Sequence, residues 1–98
     1  VTSIIVRPRA LADIDSALAW YAQRGAALSQ RLLDELDVVF ERISENPGQF
    51  PLVADSVQRA LIRKFPYSVY FVVSGDLAAI IAVIHQSRQP IDWKPCGR

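Results

Sequence analysis

The sequence predicts one α+β domain, an antiparallel β-sheet with an N-terminal helical hairpin packed on it, in the order β-α-α-β-β-β. Three observations predict it. Two stretches in the first half repeat apolar residues at helical spacing. The second half holds runs rich in aromatic and β-branched residues, separated by turn formers. The last of these runs, Leu77–Ile84, is almost wholly apolar, so neither of its faces can look at water. Such a strand belongs in a sheet interior.

Taken in order, Thr2–Val6 is a short β-prone run ended by Arg7-Pro8-Arg9. Pro8 cannot donate to a sheet but suits the first turn of a helix. Leu11, Ile14, Leu18 and Tyr21 then recur as one apolar stripe, and Asp13 and Asp15 sit near the positive end of the helix dipole. Gly25 is placed to end this helix as a left-handed cap. A second helix spans Ala26–Glu45, with Leu28, Leu32, Leu36, Val39, Phe40 and Ile43 as its stripe. Asn46-Pro47-Gly48 stops it. The connection between the helices is short, which implies an antiparallel hairpin. Gln49–Ser56 reads as a loop kept extended by Pro51.

Leu61–Phe65 combines apolar and basic residues and predicts the next strand, which Phe65-Pro66-Tyr67 interrupts. By the period of two, Arg59, Leu61, Arg63 and Phe65 share one face, with Ala60, Ile62 and Lys64 on the other. Tyr67–Val73 is a further strand, Ser74-Gly75-Asp76 a tight turn, and Leu77–Ile84 the interior strand. A polar corner follows, His85 to Pro90. The hairpin covers one face of the sheet, and the other is left for solvent or a partner. The tail with Ile91 and Trp93 is what the chain itself has left to cover it.

Ninety-eight residues make a single domain, 1–98, with no room for a second core. A hydrophobic share of 51% is high for that size and points to a partner covering part of the surface. No apolar run is long enough for a membrane span, and the N-terminus lacks a signal-peptide pattern. One cysteine, Cys96, excludes an internal disulfide and fits the cytoplasm. The net charge of +1 hides an asymmetry: residues 1–56 hold five Lys/Arg against eight Asp/Glu, residues 57–98 six against two. The basic half is suited to nucleic acid or an acidic protein.

No phosphate loop, paired-cysteine ligand set or metalloprotease helix is present, so neither cofactor nor metal is expected. A Ser-His-Asp triad can be written on paper from Ser68 or Ser87, His85, and Asp76 or Asp92, but no spacing supports it. His85 is either a structural imidazole bonded to backbone at a strand end, or a general acid/base or partner contact. Arg88 is better suited to a carboxylate or to backbone carbonyls than to a phosphate. Arg59 and Arg63, beside Phe65 and Tyr67, could cradle a nucleic-acid backbone and stack a base. Equally they could form a charged edge that deters aggregation. Trp20, Tyr21 and Trp93 read as packing residues.

Arg59-x-x-x-Arg63-x-Phe65-Pro66-Tyr67-x-x-Tyr70, an apolar strand, and then His85-x-x-Arg88-x-Pro90-x-x-Trp93 together resemble the RelE/ParE toxins of bacterial type II toxin–antitoxin systems. The opening is similar too: a short strand, then Arg9-Ala10-x-x-Asp13-Ile14 starting the first helix, with Asn46-Pro47 after the second. The resemblance implies a small cytoplasmic toxin bound in a hetero-oligomer by its antitoxin, a ParD-like or related protein whose acidic, amphipathic C-terminal segment wraps it. The superfamily divides between messenger-RNA nucleases that work in the ribosomal A site and ParE-like poisons of DNA gyrase. Arg59 matches one basic position of the nuclease set. Leu61 and Ser68 stand where further basic residues are expected, Gln86 stands near another arginine position, and Trp93 falls one residue out of register with a late tyrosine. The pattern therefore favours the gyrase branch. A ribosome-dependent ribonuclease using Arg59, His85 and Arg88 is the alternative, and an interaction module that has lost toxicity is a second. Contacts to antitoxin or target are expected at Arg59, Arg63, Tyr67, His85, Arg88 and Trp93.

Overall fold

A computed structural model describes residues 2–87. The elements are β1 (Ser3–Val6), α1 (Pro8–Ala22), α2 (Ala26–Glu45), a single 3-10 turn (Pro47–Gln49), β2 (Leu52–Ala54), β3 (Val57–Leu61), β4 (Tyr67–Ser74) and β5 (Leu77–His85). The sheet order is β1-β5-β4-β3-β2. β5 is interior, between β1 and β4, as its apolar run requires.

The helical hairpin lies on one face of the sheet. Ala10, Ile14 and Ala17 from α1, and Leu32, Leu36, Val39 and Ile43 from α2, meet Ile62, Val69, Phe71, Ala78, Ile80 and Val83 in one buried cluster. Phe71 is the largest side chain withdrawn entirely from water. The spacing of Ala10, Ile14 and Ala17 puts small residues where α1 comes closest, so Leu11 turns outward at 52% exposure. The sheet's second face carries its own cluster of Val57, Tyr70, Ala82 and Ile84, each buried. The expectation that the tail with Ile91 and Trp93 covers that face lies outside the described residues.

Gly25 sits at φ 150°, a conformation that side chains resist, and joins the two helices. It serves as the residue before α2, while α1 ends earlier in an ordinary right-handed turn at Gln23. β1 is anchored at its start by the end of α2. The Thr2 N–H donates to the Ser44 carbonyl at 2.9 Å, and the Ser44 hydroxyl donates to the Thr2 carbonyl at 2.6 Å.

Three features depart from the expected architecture. The sheet is mixed, because β1 pairs with β5 in parallel, with Ser3 opposite Leu77 and Val6 opposite Ile80. The remaining pairs are antiparallel. The stretch expected to be a loop contains β2, a short edge strand against β3, closed by a turn in which Asp55 takes φ 43°. The third strand is Val57–Leu61, not Leu61–Phe65. Lys64 adopts φ 69°, which turns the chain and breaks the alternation before Phe65. Phe65 consequently leaves the face of Arg59 and packs into the main core beside Tyr21.

Candidate functional site

The far end of β4 and β5 brings two expected residues together. Tyr67 and His85 are direct cross-strand partners, and antiparallel pairing presents both side chains on the helix-facing side with Val69 and Val83. Their rings meet edge to face, with centroids 5.1 Å apart. Tyr21 extends the chain of aromatics, 6.3 Å from Tyr67 and 4.9 Å from Trp20. The Arg24 guanidinium lies 3.4 Å from the centre of the Trp20 ring and donates to the Trp20 carbonyl.

Between α1 and this corner is a hollow of about 460 Å³, lined by Asp13, Ser16, Ala17, Trp20, Tyr67, Val83, His85 and Ser87. Its size falls in the range of ordinary binding clefts. The Ser87 N–H donates to His85 Nδ1 at 3.1 Å, and the Ser87 hydroxyl lies 2.8 Å from the same nitrogen. Nδ1 is therefore an acceptor, and in the neutral ring Nε2 carries the proton. Asp13 Oδ2 accepts the Val83 N–H at 3.0 Å and pairs with Arg9 Nε at 3.4 Å. The corner thus offers one imidazole donor, one carboxylate and an aromatic wall.

Arg59 stands elsewhere. It is opposite Tyr70 on β3, on the face away from the helices, and its side chain is exposed. Arg63 lies past the end of β3, exposed in the turn to β4, so the two arginines do not share a strand face. Arg59 and Arg63 are not gathered with Tyr67 and His85. Arg88 and Trp93, like Asp92, lie outside the described residues. Ser68 is buried, and Asp76 lies in the turn at the opposite end of β5 from His85, so neither completes a triad with that histidine. Among the described residues no cluster of His, Cys, Asp or Glu is arranged to hold a metal ion. Nor is any helix among them long and apolar enough to cross a membrane.

Sequence reasoning placed Ser87 with His85 in the polar corner but missed the part of Asp13 and Trp20 there. Asp13 read only as a helix-dipole residue and Trp20 only as packing. The signal for Asp13 was its place on the same helix face as Ala10 and Ala17, which turns a carboxylate toward the sheet.

The comparisons with known proteins agree with this architecture. The family model for the ParE toxin of the type II toxin–antitoxin system, parDE, matches residues 4–90. Among solved structures, the chromosomal ParDE toxin–antitoxin system from P. aeruginosa superposes with a TM-score of 0.74 at 18% identity, covering 86% of this chain and 95% of that one. At that identity the likeness is one of fold. No curated protein matches the sequence. With a family match running from β1 past the end of β5, and the same fold in a ParDE structure, this chain belongs to the ParE toxin family of type II toxin–antitoxin systems.

Proposed function

We propose that the protein is a cytoplasmic toxin that acts on DNA gyrase without cutting nucleic acid and is held inactive in a hetero-oligomer with a ParD-like antitoxin. One observation carries the choice against a ribonuclease: Arg59 and His85, the basic and proton-transferring groups a nuclease would bring to one phosphate, stand on opposite faces of the sheet. General acid–base work on a phosphodiester needs its groups within hydrogen-bond reach of the same atoms. Leu61 reinforces the choice, since it is an exposed apolar residue where the nuclease pattern wants a cation.

The antitoxin's part follows from charge and exposed apolar surface. Arg59 on β3, and Arg63 and Lys64 in the turn to β4, are each exposed, and Leu61 at the end of β3 is 54% exposed. An acidic segment with apolar residues fits such a surface, folding as it binds. The experiment pairs two assays on the purified toxin: gyrase supercoiling of relaxed plasmid, and cleavage of messenger on programmed ribosomes. Inhibition of gyrase with messenger left whole is the expected result. Messenger cleavage at catalytic rates would overturn the proposal in favour of the ribonuclease, and failure of both with antitoxin binding retained would favour the interaction module.

A further inference from the structure

β1 leaves the sheet before β5 ends. Their last paired residues are Val6 and Ile80, and the Arg7 N–H to the Ile80 carbonyl at 2.9 Å closes that ladder. Ile81 bulges there, since Tyr70 faces Ala82 while Phe71 faces Ile80. Among the described residues, β5 then continues to His85 with β4 on one side only.

Beyond the bulge, the Val83 N–H turns away from β4 and goes to Asp13 Oδ2. The Gln86 N–H points the other way, to the Pro66 carbonyl at 2.7 Å. Strand groups alternate sides, so the Val83 carbonyl and the His85 N–H face the same edge as the Val83 N–H. Among the described residues no strand runs along that edge. The hollow beside it is lined by Asp13, whose Oδ2 takes the bonds to Val83 and Arg9 and whose Oδ1 has no partner among the described residues, and by the His85 ring. Trp20, 48% exposed, forms part of its wall.

We propose that Val83–His85 and the adjoining hollow receive an extended segment of a partner polypeptide carrying an arginine. A partner residue opposite Ile84 gives its N–H to the Val83 carbonyl and its carbonyl to the His85 N–H. That is the parallel pattern in which β1 already pairs with this strand. The next side chain along the partner falls on the helix side, in the hollow. A guanidinium there reaches Asp13 Oδ1, beside the Oδ2 that Arg9 holds, whereas an acidic side chain is repelled by that carboxylate. The two open rungs select a polypeptide over a free small molecule, because another backbone fills both while the pocket reads the side chain. The inference stands apart from the choice of gyrase as target.

The test is an amide NMR titration of the isotope-labelled full chain with a capped Thr-Val-Arg-Val-Thr peptide. Saturable shifts are expected at Val83, Ile84 and His85 and at the Trp20 indole. A peptide with Gln in place of Arg should bind roughly tenfold more weakly, and one methylated at the rung nitrogen roughly fivefold more weakly. Asp13→Asn keeps an acceptor for the Val83 N–H, so the fold should survive while the preference for Arg over Gln disappears. Thermal melting of this variant checks the fold independently. Absence of shifts at residues 83–85 at millimolar peptide, equal binding of the Arg and Gln peptides, or a preference that persists in Asp13→Asn would overturn the proposal. Free arginine binding as well as the peptide would overturn it too, by assigning the hollow to a small molecule.

Discussion

Tyr67 and His85 pair across β4 and β5 with their ring planes at 75°, an edge-to-face contact that closes the polar end of the sheet. Contacts of this kind contribute about 0.5–1.5 kcal/mol beyond area burial. His85→Ala is therefore expected to lower the unfolding free energy by about 1 kcal/mol in urea titration, by the same estimate. Under the function proposed above, neither His85→Ala nor Arg59→Ala abolishes toxicity through a lost cleavage step. Primer extension on messenger from expressing cells checks this, and A-site cleavage lost in a folded His85→Ala protein would count against it.

The glycines provide a test of backbone strain isolated from packing. A Cβ at Gly25 would meet nothing within 4 Å, so only its φ of 150° opposes substitution. Gly25→Ala should destabilise by about 1–2 kcal/mol. Gly48 has no such φ, and an added Cβ there makes ordinary contact with Asn46 Oδ1 at 3.5 Å. Gly48→Ala should be neutral or slightly stabilising, within about 1 kcal/mol. Denaturant midpoints of the two variants should separate in that order.

Gln58 holds the segment after α2 by donating from one amide nitrogen to two carbonyls, Pro47 at 2.7 Å and Phe50 at 3.0 Å. Gln58→Ala should cost about 1–3 kcal/mol. Hydrogen exchange should quicken at Gln49 and Phe50, whose N–H groups close the turn, more than at β5.

In the core, Phe71 is fully buried and meets Phe50 edge to face with centroids 5.8 Å apart. Phe71→Ala should lose about 3–5 kcal/mol, a large share of an ordinary domain's stability, whereas Leu61→Ala at the exposed edge should stay within about 0.5 kcal/mol. Circular dichroism during thermal melting distinguishes them.

Charge reversal provides the partner test. Arg59→Glu with Arg63→Glu should weaken binding of the co-encoded antitoxin, mainly by slowing association, and should flatten the salt dependence. Surface plasmon resonance at several salt concentrations reads both. Tight binding indifferent to salt and to the reversals would leave an apolar contact without its electrostatic half.

The helices and the interior strand were legible because each carries a long periodic pattern. The spans Ala26–Glu45 and Leu77–Ile84 hardly move between sequence and structure. What escaped was short or non-local. Leu52–Ala54 is too brief between Pro51 and Asp55 to show a period, and the parallel direction of β1 leaves no trace in its composition. The third strand was misplaced because its mixture of apolar and basic residues ran on to Phe65, while the chain turned at Lys64 at a positive φ that lysine does not advertise. In α1 the stripe was sought among large residues; Ile14, Leu18 and Tyr21 do pack on the core, but Ala10 and Ala17 share that face and Leu11 turns away from it. Motif spacing placed Tyr67 and His85 near one corner. It could not show that Arg59 faces away from them, since that depends on where the strand ends and which side the helices cover.

The parallel pairing of β1 with β5 also governs when this fold can close. Ser3 has no partner until Leu77 has been synthesised. At a translation rate of about 5–20 residues per second, the completed hairpin waits about 2–8 seconds for β5 to be made. Through that interval the apolar face of α1 and α2 has no sheet to lie on. A nascent chain on the ribosome therefore carries an uncovered apolar helical face until its last strand is made, and is open to aggregation through that interval.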